Sequence, residues 1–262
     1  MGHTLFAGPS GFGKTTMAHL IAKELDVGVK LITAYAISKP SEIVSLLNSL
    51  DTGDVLFIDE IHRLKPTIEE VLYIAMEDFV IDMVMPEGGS VRIPINPFTL
   101  IGATTKPEML SQPMKNRFVY SFHFMDYSPT EKQVIIERYL KQYQIQFAPE
   151  LLEEIAQKVD SVPREIHNLV IKLRDFFVNH EHETLTNTLW QEFLHHAQLK
   201  EGGMTPLHQQ YLDILAYYDR PLGAKAIAAQ LGINEKSLEE DIEPLLLKLG
   251  KIEKTPAGRI LL

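Results

Sequence analysis

Short apolar runs alternate with helical stretches through the first half of the chain. Thr4-Leu-Phe-Ala7 ends in a glycine-rich turn, and Val29–Thr33, Asp54–Asp59, Phe98–Ala103 and Val119–Phe124 are further runs of strand length. Amphipathic stretches lie between them, and this alternation predicts an α/β domain with a mostly parallel sheet covered on both faces. Val80–Ile95 interrupts the pattern as a β-hairpin turning at Gly88-Gly89, with Ile81, Met83, Val84 and Met85 as its exposed candidates. A Met-rich apolar tip suits an adaptable protein contact. A hairpin folded onto its own domain fits the same pattern.

From about residue 127 the strand signals stop. Thr130-Glu-Lys-Gln133 has capping-box spacing, and Ile135, Ile136, Tyr139, Leu140 and Tyr143 form an apolar face behind it. A second helix follows Pro149. A third opens at Pro163 and is predicted to bury Ile166, Leu169, Val170, Leu173, Phe176 and Phe177, and a fourth spans about 186–197. Glu201-Gly-Gly-Met204 reads as a linker. Helical stretches at about 206–218, 223–230 and 236–249 follow it, with Pro244 expected to kink the last or shift its start. A two-strand ribbon turning through Pro256-Ala-Gly258 completes a winged-helix pattern. The predicted organisation is a large α/β domain at 1–126, a small helical domain at 127–200 and a winged-helix domain at 204–262.

Composition narrows the function classes. With 45% hydrophobic and 23% charged residues, the chain has an ordinary globular profile. It has no cysteine, which excludes disulfides and thiolate metal sites. No apolar run reaches the length of a membrane span, and the first residues lack signal-peptide character, so a cytoplasmic protein without a membrane partner is expected. The 35 acidic against 25 basic residues, a net charge of −10, disfavour non-specific coating of nucleic acid. Any DNA contact must come from a local patch. The last fifteen residues carry Lys248, Lys251, Lys254 and Arg259 against Glu253, a modest patch on the wing.

The chemistry concentrates near the strand ends. Gly8-Pro-Ser-Gly11-Phe-Gly13-Lys14-Thr15-Thr16 matches G-x-x-x-x-G-K-[ST] between a strand and a helix. Its glycines let backbone N–H groups face phosphate oxygens, Lys14 can reach the β- and γ-phosphates, and the Thr15 hydroxyl can ligate Mg²⁺. Val55-Leu-Phe-Ile-Asp59-Glu60 delivers two acids from a strand end. Asp59 can hold the magnesium of bound ATP through water, and Glu60 can activate the attacking water. Thr104-Thr105 ends another strand, where a hydroxyl can meet the γ-phosphate or that water. Arg117 is either a phosphate-seeking arginine or a surface cation. Arg164 occupies the first turn of a helix, where the dipole disfavours a cation, which points to an external anion unless Asp160 or Glu165 satisfies it. His180-Glu-His182 and His195-His196 read as solvated surface. His62 either touches the nucleotide sphere or packs under the loop.

Gly8–His19, Gly53–Leu64, Glu69–Phe79, Phe98–Thr105, Arg174-Asp-Phe176 and Thr255-Pro-Ala-Gly-Arg259 together resemble the RuvB family of bacterial AAA+ motors, in order along nearly the whole chain. The resemblance implies that Lys14 and Thr15 are Walker A and Asp59 and Glu60 Walker B. It also implies that Thr105 is sensor 1, Arg164 sensor 2 and Arg117 an arginine finger reaching into a neighbouring subunit. By the same resemblance the chain is a subunit of a homo-hexameric ring around duplex DNA at Holliday junctions, driven by ATP and Mg²⁺. Its hairpin docks RuvA through Ile81, Met83 and Met85, its wing meets DNA through Lys254, Thr255 and Arg259, and the resolvase RuvC is a further partner.

The chain departs from that pattern in places. Family members carry a segment ahead of the first motif strand, with part of the adenine pocket, whereas this sequence begins almost at the strand; a fragment, a misassigned start or altered nucleotide binding would each account for it. The family's Arg-Phe-Gly is Arg117-Phe-Val119 here, and Asn168 and Val170 stand where the family tends to carry arginines. Two other functions fit parts of the sequence: a clamp-loader or initiator ATPase, and a nucleotide-gated DNA-binding scaffold without useful turnover.

Overall fold

The structure, a computed structural model, describes residues 1–84, 89–177 and 184–262. The chain forms two compact units, Met1–Asp126 and Tyr127–Leu262.

In the first unit the strands are β1 (Thr4–Ala7), β2 (Val29–Thr33), β3 (Val55–Asp59), β4 (Val80–Val84), β5 (Ser90–Pro94), β6 (Thr99–Thr104) and β7 (Tyr120–His123), and the helices are α1 (Lys14–Glu24), α2 (Pro40–Asn48), α3 (Pro66–Asp78) and α4 (Gln112–Arg117). Five strands form one parallel sheet in the order β2-β3-β6-β1-β7. Its three central strands are buried along almost their whole length, and both edges are more open. Strand alternation sorts the side chains into two cores. Leu5, Leu56, Ile58 and Leu100 face one side with Ile43, Leu47, Ile68 and Leu72 of α2 and α3. Phe6, Val55, Phe57, Ile101 and Ala103 face the other with Ala18 and Ala22 of α1. The carboxyl ends of β1 and β6 align, Ala7 beside Thr104. Loops leaving such ends are where parallel sheets place their ligands.

The hairpin forms as β4 paired antiparallel with β5, Ile81 opposite Ile93. Ile81 is a correction: it is not exposed but buried in the core with Ile95, Phe98 and Met76. Alternation in β4 turns that position inward, so its apolar surface serves the domain's own core. Met85 and Gly88 lie outside the described residues, as does the side chain of Met83.

His3 ties three elements of this unit together. Its Nε2 lies 3.0 Å from the Met76 carbonyl, and its Nδ1 accepts from the Leu100 N–H at 2.8 Å. Its ring sits among Phe79 and Phe98.

The second unit begins with α5 (Pro129–Gln142), α6 (Leu151–Lys158), α7 (Pro163–Phe177) and α8 (Asn187–Ala197). The capping box of α5 is Ser128 with Glu131, not Thr130 with Gln133. Both pairs have the required spacing, but Pro129 has the φ of a first helical position and lacks the N–H that needs no partner there, which places the cap at Ser128. Four of the six predicted residues of α7, Ile166, Leu169, Val170 and Leu173, are buried, and the other two, Phe176 and Phe177, pack only partly against the same core around Trp190. The Trp190 indole N–H donates to Glu154 at 3.1 Å.

Three further helices, α9 (Pro206–Tyr218), α10 (Ala224–Leu231) and α11 (Glu235–Ser237), lead through a π-helical stretch, Leu238–Ile242, into α12 (Glu243–Lys248). Pro244 accounts for that stretch: without an N–H it cannot extend the preceding ladder, and the helix restarts around it. β8 (Ile252–Thr255) and β9 (Gly258–Leu261) form the ribbon, and Leu222 makes an isolated antiparallel bridge to Arg259. Gly258 is required there: its φ is 136°, and a Cβ would stand 2.6 Å from the Leu222 carbonyl oxygen.

Residues 201–204, read as a linker, are a packed joint. Met204 is buried, a Cβ on Gly202 would meet Leu249 at 2.7 Å, and Gly203 lies against the Asp160 backbone. Lys248 donates to Asp160 at 2.6 Å and to Ser161 at 2.5 Å across the same joint.

Burial holds the His3 pKa below its usual 6.5, with the Met76 carbonyl opposing that shift. The neutral ring is thus the one that folding favours. Its stabilisation is complete above pH 6.5 and declines as the pH falls below that value. His3→Gln should lose about 1–3 kcal/mol at pH 7. Urea unfolding should show the gap between wild type and variant narrowing from pH 7 to pH 5; a constant gap would sink the assignment.

Candidate active site

The loop after β1 is shaped by glycines in the left-handed region, Gly8 at φ 147°, Gly11 at 84° and Gly13 at 86°. A Cβ on Gly8 would stand 2.6 Å from the Phe124 carbonyl oxygen, whereas the space beside Gly13 is open. Gly13 caps α1 without any side-chain hydrogen bond, and the first turn holds no acid. The leading N–H groups of α1 therefore face outward with a positive end-charge, the arrangement that binds phosphate. Lys14 is buried, its ammonium donating to the Gly8 and Pro9 carbonyls at 2.8 Å each. Thr15 and Thr16 are exposed at the mouth of the loop.

β3 ends at Asp59, whose carboxylate accepts the Glu60 N–H at 3.0 Å. Glu60 has φ 51° and ψ 43°, an uncommon conformation for a side-chain-bearing residue and one that concentrates at functional sites. The structure joins Glu60 to the neighbouring strand end: Thr105 donates to Glu60 Oε2 at 3.0 Å. His62, left between two readings by the sequence, also faces that oxygen, with Nδ1 at 3.2 Å. The same nitrogen lies 2.8 Å from Thr104 Oγ1, a contact the sequence did not signal because Thr104 looks like any β-branched strand residue. Burial pushes the His62 pKa down, with Glu60 pulling the other way, so the ring is neutral at pH 7.

Arg117 ends α4 and is engaged within its own unit. Its guanidinium meets Glu77 at 3.0 Å and lies 5.4 Å from the Tyr73 ring centroid. Tyr73 and Ser111 donate to the buried Glu69 at 2.5 and 2.7 Å. Arg117 Nε is buried and has no hydrogen-bond partner among the described residues. In the second unit, Arg164 is exposed in the first turn of α7. His195 and His196 are exposed on α8, as expected, and His180 and His182 lie outside the described residues.

On the wing, the three residues expected to meet DNA already have partners within the chain. Arg259 is only 15% exposed; its Nε donates to Glu243 at 2.8 Å and its Nη2 to Glu239 at 2.6 Å. Lys254 also pairs with Glu243, at 2.5 Å, and keeps 42% of its side-chain exposure. The Thr255 hydroxyl donates to the Gly258 carbonyl at 2.8 Å and closes the turn. The reason lies in Glu243, a fully buried carboxylate that also accepts from the Tyr211 hydroxyl at 3.0 Å. Burial opposes its ionisation, but Arg259, Lys254 and Tyr211 outweigh that and hold its pKa below the usual carboxylate value. Arg259 thus anchors the buried Glu243, while Lys254 keeps the more exposed charge.

Among the described residues no group of three or more His, Cys, Asp or Glu side chains is placed to hold a metal ion. A hydroxyl at Thr15 and a carboxylate at Asp59 are hard oxygen donors of the kind that a phosphate-bound magnesium uses alongside water.

The family model described as the Holliday junction DNA helicase RuvB P-loop domain matches residues 1–124, and that of the RuvB C-terminal winged helix domain matches residues 201–261. The chain is 40% identical over 262 residues to the Holliday junction branch migration complex subunit RuvB of Helicobacter pylori strain J99, covering 98% of this chain and 78% of that protein. The corresponding protein of Campylobacter jejuni subsp. doylei is 39% identical with the same coverage. Among solved structures, the Thermotoga maritima RuvB Holliday junction branch migration motor aligns at a TM-score of 0.82 and 34% identity, over all of this chain and 85% of that one. The FIGL-1 AAA domain in complex with ADP aligns at 0.55 and 16% identity, over 83% of this chain and 77% of that one, a likeness of fold.

Arg259→Met leaves Glu243 short of its main partner and should destabilise the winged helix by about 3–5 kcal/mol. Urea denaturation checks this. An unchanged midpoint with weakened DNA binding would instead make Arg259 a phosphate contact.

Proposed function

Because this chain belongs to the RuvB family, we infer that it is the ATP-driven motor subunit of Holliday junction branch migration, acting in recombination and DNA repair. The observation that carries this reading is the convergence at three adjacent strand ends: an uncapped helix N-terminus after β1, Asp59 and Glu60 after β3, and Thr105 after β6. The family matches leave no place for the clamp-loader or initiator reading.

Gly8, Gly11, Gly13, Lys14, Thr15 and Thr16 hold the phosphates of ATP, with Thr105 at the γ-phosphate and Arg164 as the second sensor. Thr15 and Asp59 hold Mg²⁺, which supplies charge neutralisation on the phosphate oxygens. Glu60 takes a proton from water as the water oxygen bonds to the γ-phosphorus, and the β–γ bridging oxygen leaves with ADP. Arg117 serves a neighbour's site, so hydrolysis follows assembly into a homo-hexamer. The Glu77 and Tyr73 contacts keep its guanidinium ordered until then.

The chain works as a large domain at 1–126, a helical domain at 127–200 and a winged-helix domain at 204–262. The wing meets duplex DNA, with Lys254 its exposed charge. The β4–β5 hairpin docks RuvA through its outward positions, and RuvC joins at the junction. The location is cytoplasmic; among the described residues no helix is long and apolar enough to cross a membrane.

Glu60→Gln should lower steady-state phosphate release by about 10²–10⁴-fold while nucleotide binding persists, measured with a fluorescent ADP analogue. Undiminished hydrolysis would remove Glu60 from its role. Lys14→Ala should abolish nucleotide binding itself.

A further inference from the structure

His62 is a polar ring in a place where packing alone asks for an apolar one. Its side chain is 1% exposed, and its Nε2 is buried without a hydrogen-bond partner among the described residues. A buried unsatisfied nitrogen is unfavourable, so an interaction elsewhere on the ring has to outweigh it. That interaction is at Nδ1, which faces Glu60 Oε2 and Thr104 Oγ1.

The local backbone makes this meeting inevitable. Glu60 takes the left-handed conformation, and the tight turn over Ile61–Arg63 follows, closed by the Arg63 N–H on the Glu60 carbonyl at 2.8 Å. Residues 60 and 62 then face the same strand end. From β6, Thr105 donates to Glu60 Oε2, while Thr104 Oγ1 already accepts the Lys106 N–H at 3.0 Å. A carboxylate only accepts, so a neutral His62 facing it carries its proton on Nδ1. The Thr105 hydroxyl therefore donates to Oε2, and the His62 ring, held by its Nδ1 hydrogen bond to Thr104 Oγ1 at 2.8 Å, stands 3.2 Å from the same oxygen. Among the described residues no donor reaches the other oxygen, Oε1.

Resting on the hydrolytic reading above, we propose that His62 is a positioning residue for ATP hydrolysis. It fixes Glu60 by Oε2 so that Oε1 takes the proton of the attacking water. Thr105 alone leaves the carboxylate able to rotate about a single hydrogen bond; the His62 ring, anchored on Thr104 and in contact with Oε2, removes that rotation. His62 touches no substrate and acts only through Glu60.

The test uses three substitutions in the full chain. His62→Asn keeps an N–H at the distance of Nδ1 from Cβ, His62→Gln moves it out to the distance of Nε2, and His62→Leu removes it. Misplacement of the base by about 1 Å lowers turnover about 10²-fold. The kcat for ATP should therefore fall about ten- to a hundredfold in His62→Gln and His62→Leu, and His62→Asn should restore most of it. The KM for ATP and the affinity for a fluorescent ADP analogue should stay within about twofold throughout. The proposal is overturned if all three variants keep the wild-type kcat, if His62→Asn is as slow as His62→Gln, or if kcat and nucleotide affinity fall together. Should His62→Leu fail to fold, the Asn and Gln pair decides. A wild-type chain that turns over no ATP in the presence of junction DNA would instead overturn the motor reading, and this inference with it.

Discussion

Gly13 offers the N-terminus of α1 no side-chain cap, and the space beside it is open. A helix N-terminus of this kind suits an anion, and the rest of the first unit places chemistry beside it. A protein with a net charge of −10 repels polyphosphate at long range, so binding depends on this local concentration of N–H dipoles and on Lys14. Parallel pairing then decides which chemistry stands beside the anion. β1, β6 and β3 are consecutive in the sheet, so the residues that leave their carboxyl ends share one rim: the loop glycines, Thr104 and Thr105, and Asp59 with Glu60.

The same sheet explains why the motifs are so far apart in sequence and so close in space. Gly102 has no room for a Cβ, which would meet Phe118 at 2.8 Å and Ile61 at 2.9 Å. Ile61 lies in the turn between Glu60 and His62, so this close approach seats that turn against β6. The hydrogen bonds from Thr105 to Glu60 and between His62 and Thr104 then span two strands whose separation is set by packing. The polar contacts at the site are consequences of an apolar fit beneath them.

Much of this was legible in the sequence. All five sheet strands fall within one residue of their predicted ends, because fully buried parallel strands read as plain apolar runs bounded by turn residues. The loop and the acidic pair were legible because their spacing is tied to phosphate geometry. The misses share one physical origin, which is that sequence shows a residue's type but not its competitors. The Arg259 ion pair was hidden because nothing in its neighbourhood along the chain shows that Glu243, sixteen residues earlier, is buried beneath it. Ile81 looked exposed because an apolar hairpin residue has the same letter on either face of the strand. The Ser128 and Thr130 boxes overlap, and only the position of Pro129 separates them.

Residues 201–204 show the same principle acting on mobility. Two glycines in series suggest a flexible connection, yet both have positive φ and both are hemmed in, Gly202 by Leu249 and Gly203 by the Asp160 backbone. Here glycine serves close approach rather than freedom, and any side chain at Gly202 would push α12 away. Lys248, adjacent to Leu249, reaches Asp160 and Ser161, which immediately precede Val162 and the start of α7 at Pro163. The core around Trp190 and the core around Tyr211 are thus clamped through one short junction of glycines, an ion pair and a buried methionine. A displacement of the Asp160–Ser161 segment cannot leave Lys248 and the wing behind it unmoved without breaking that ion pair. The arginine at the head of α7 and the ribbon that carries Lys254 are therefore parts of one mechanical element, although almost a hundred residues separate them in the chain.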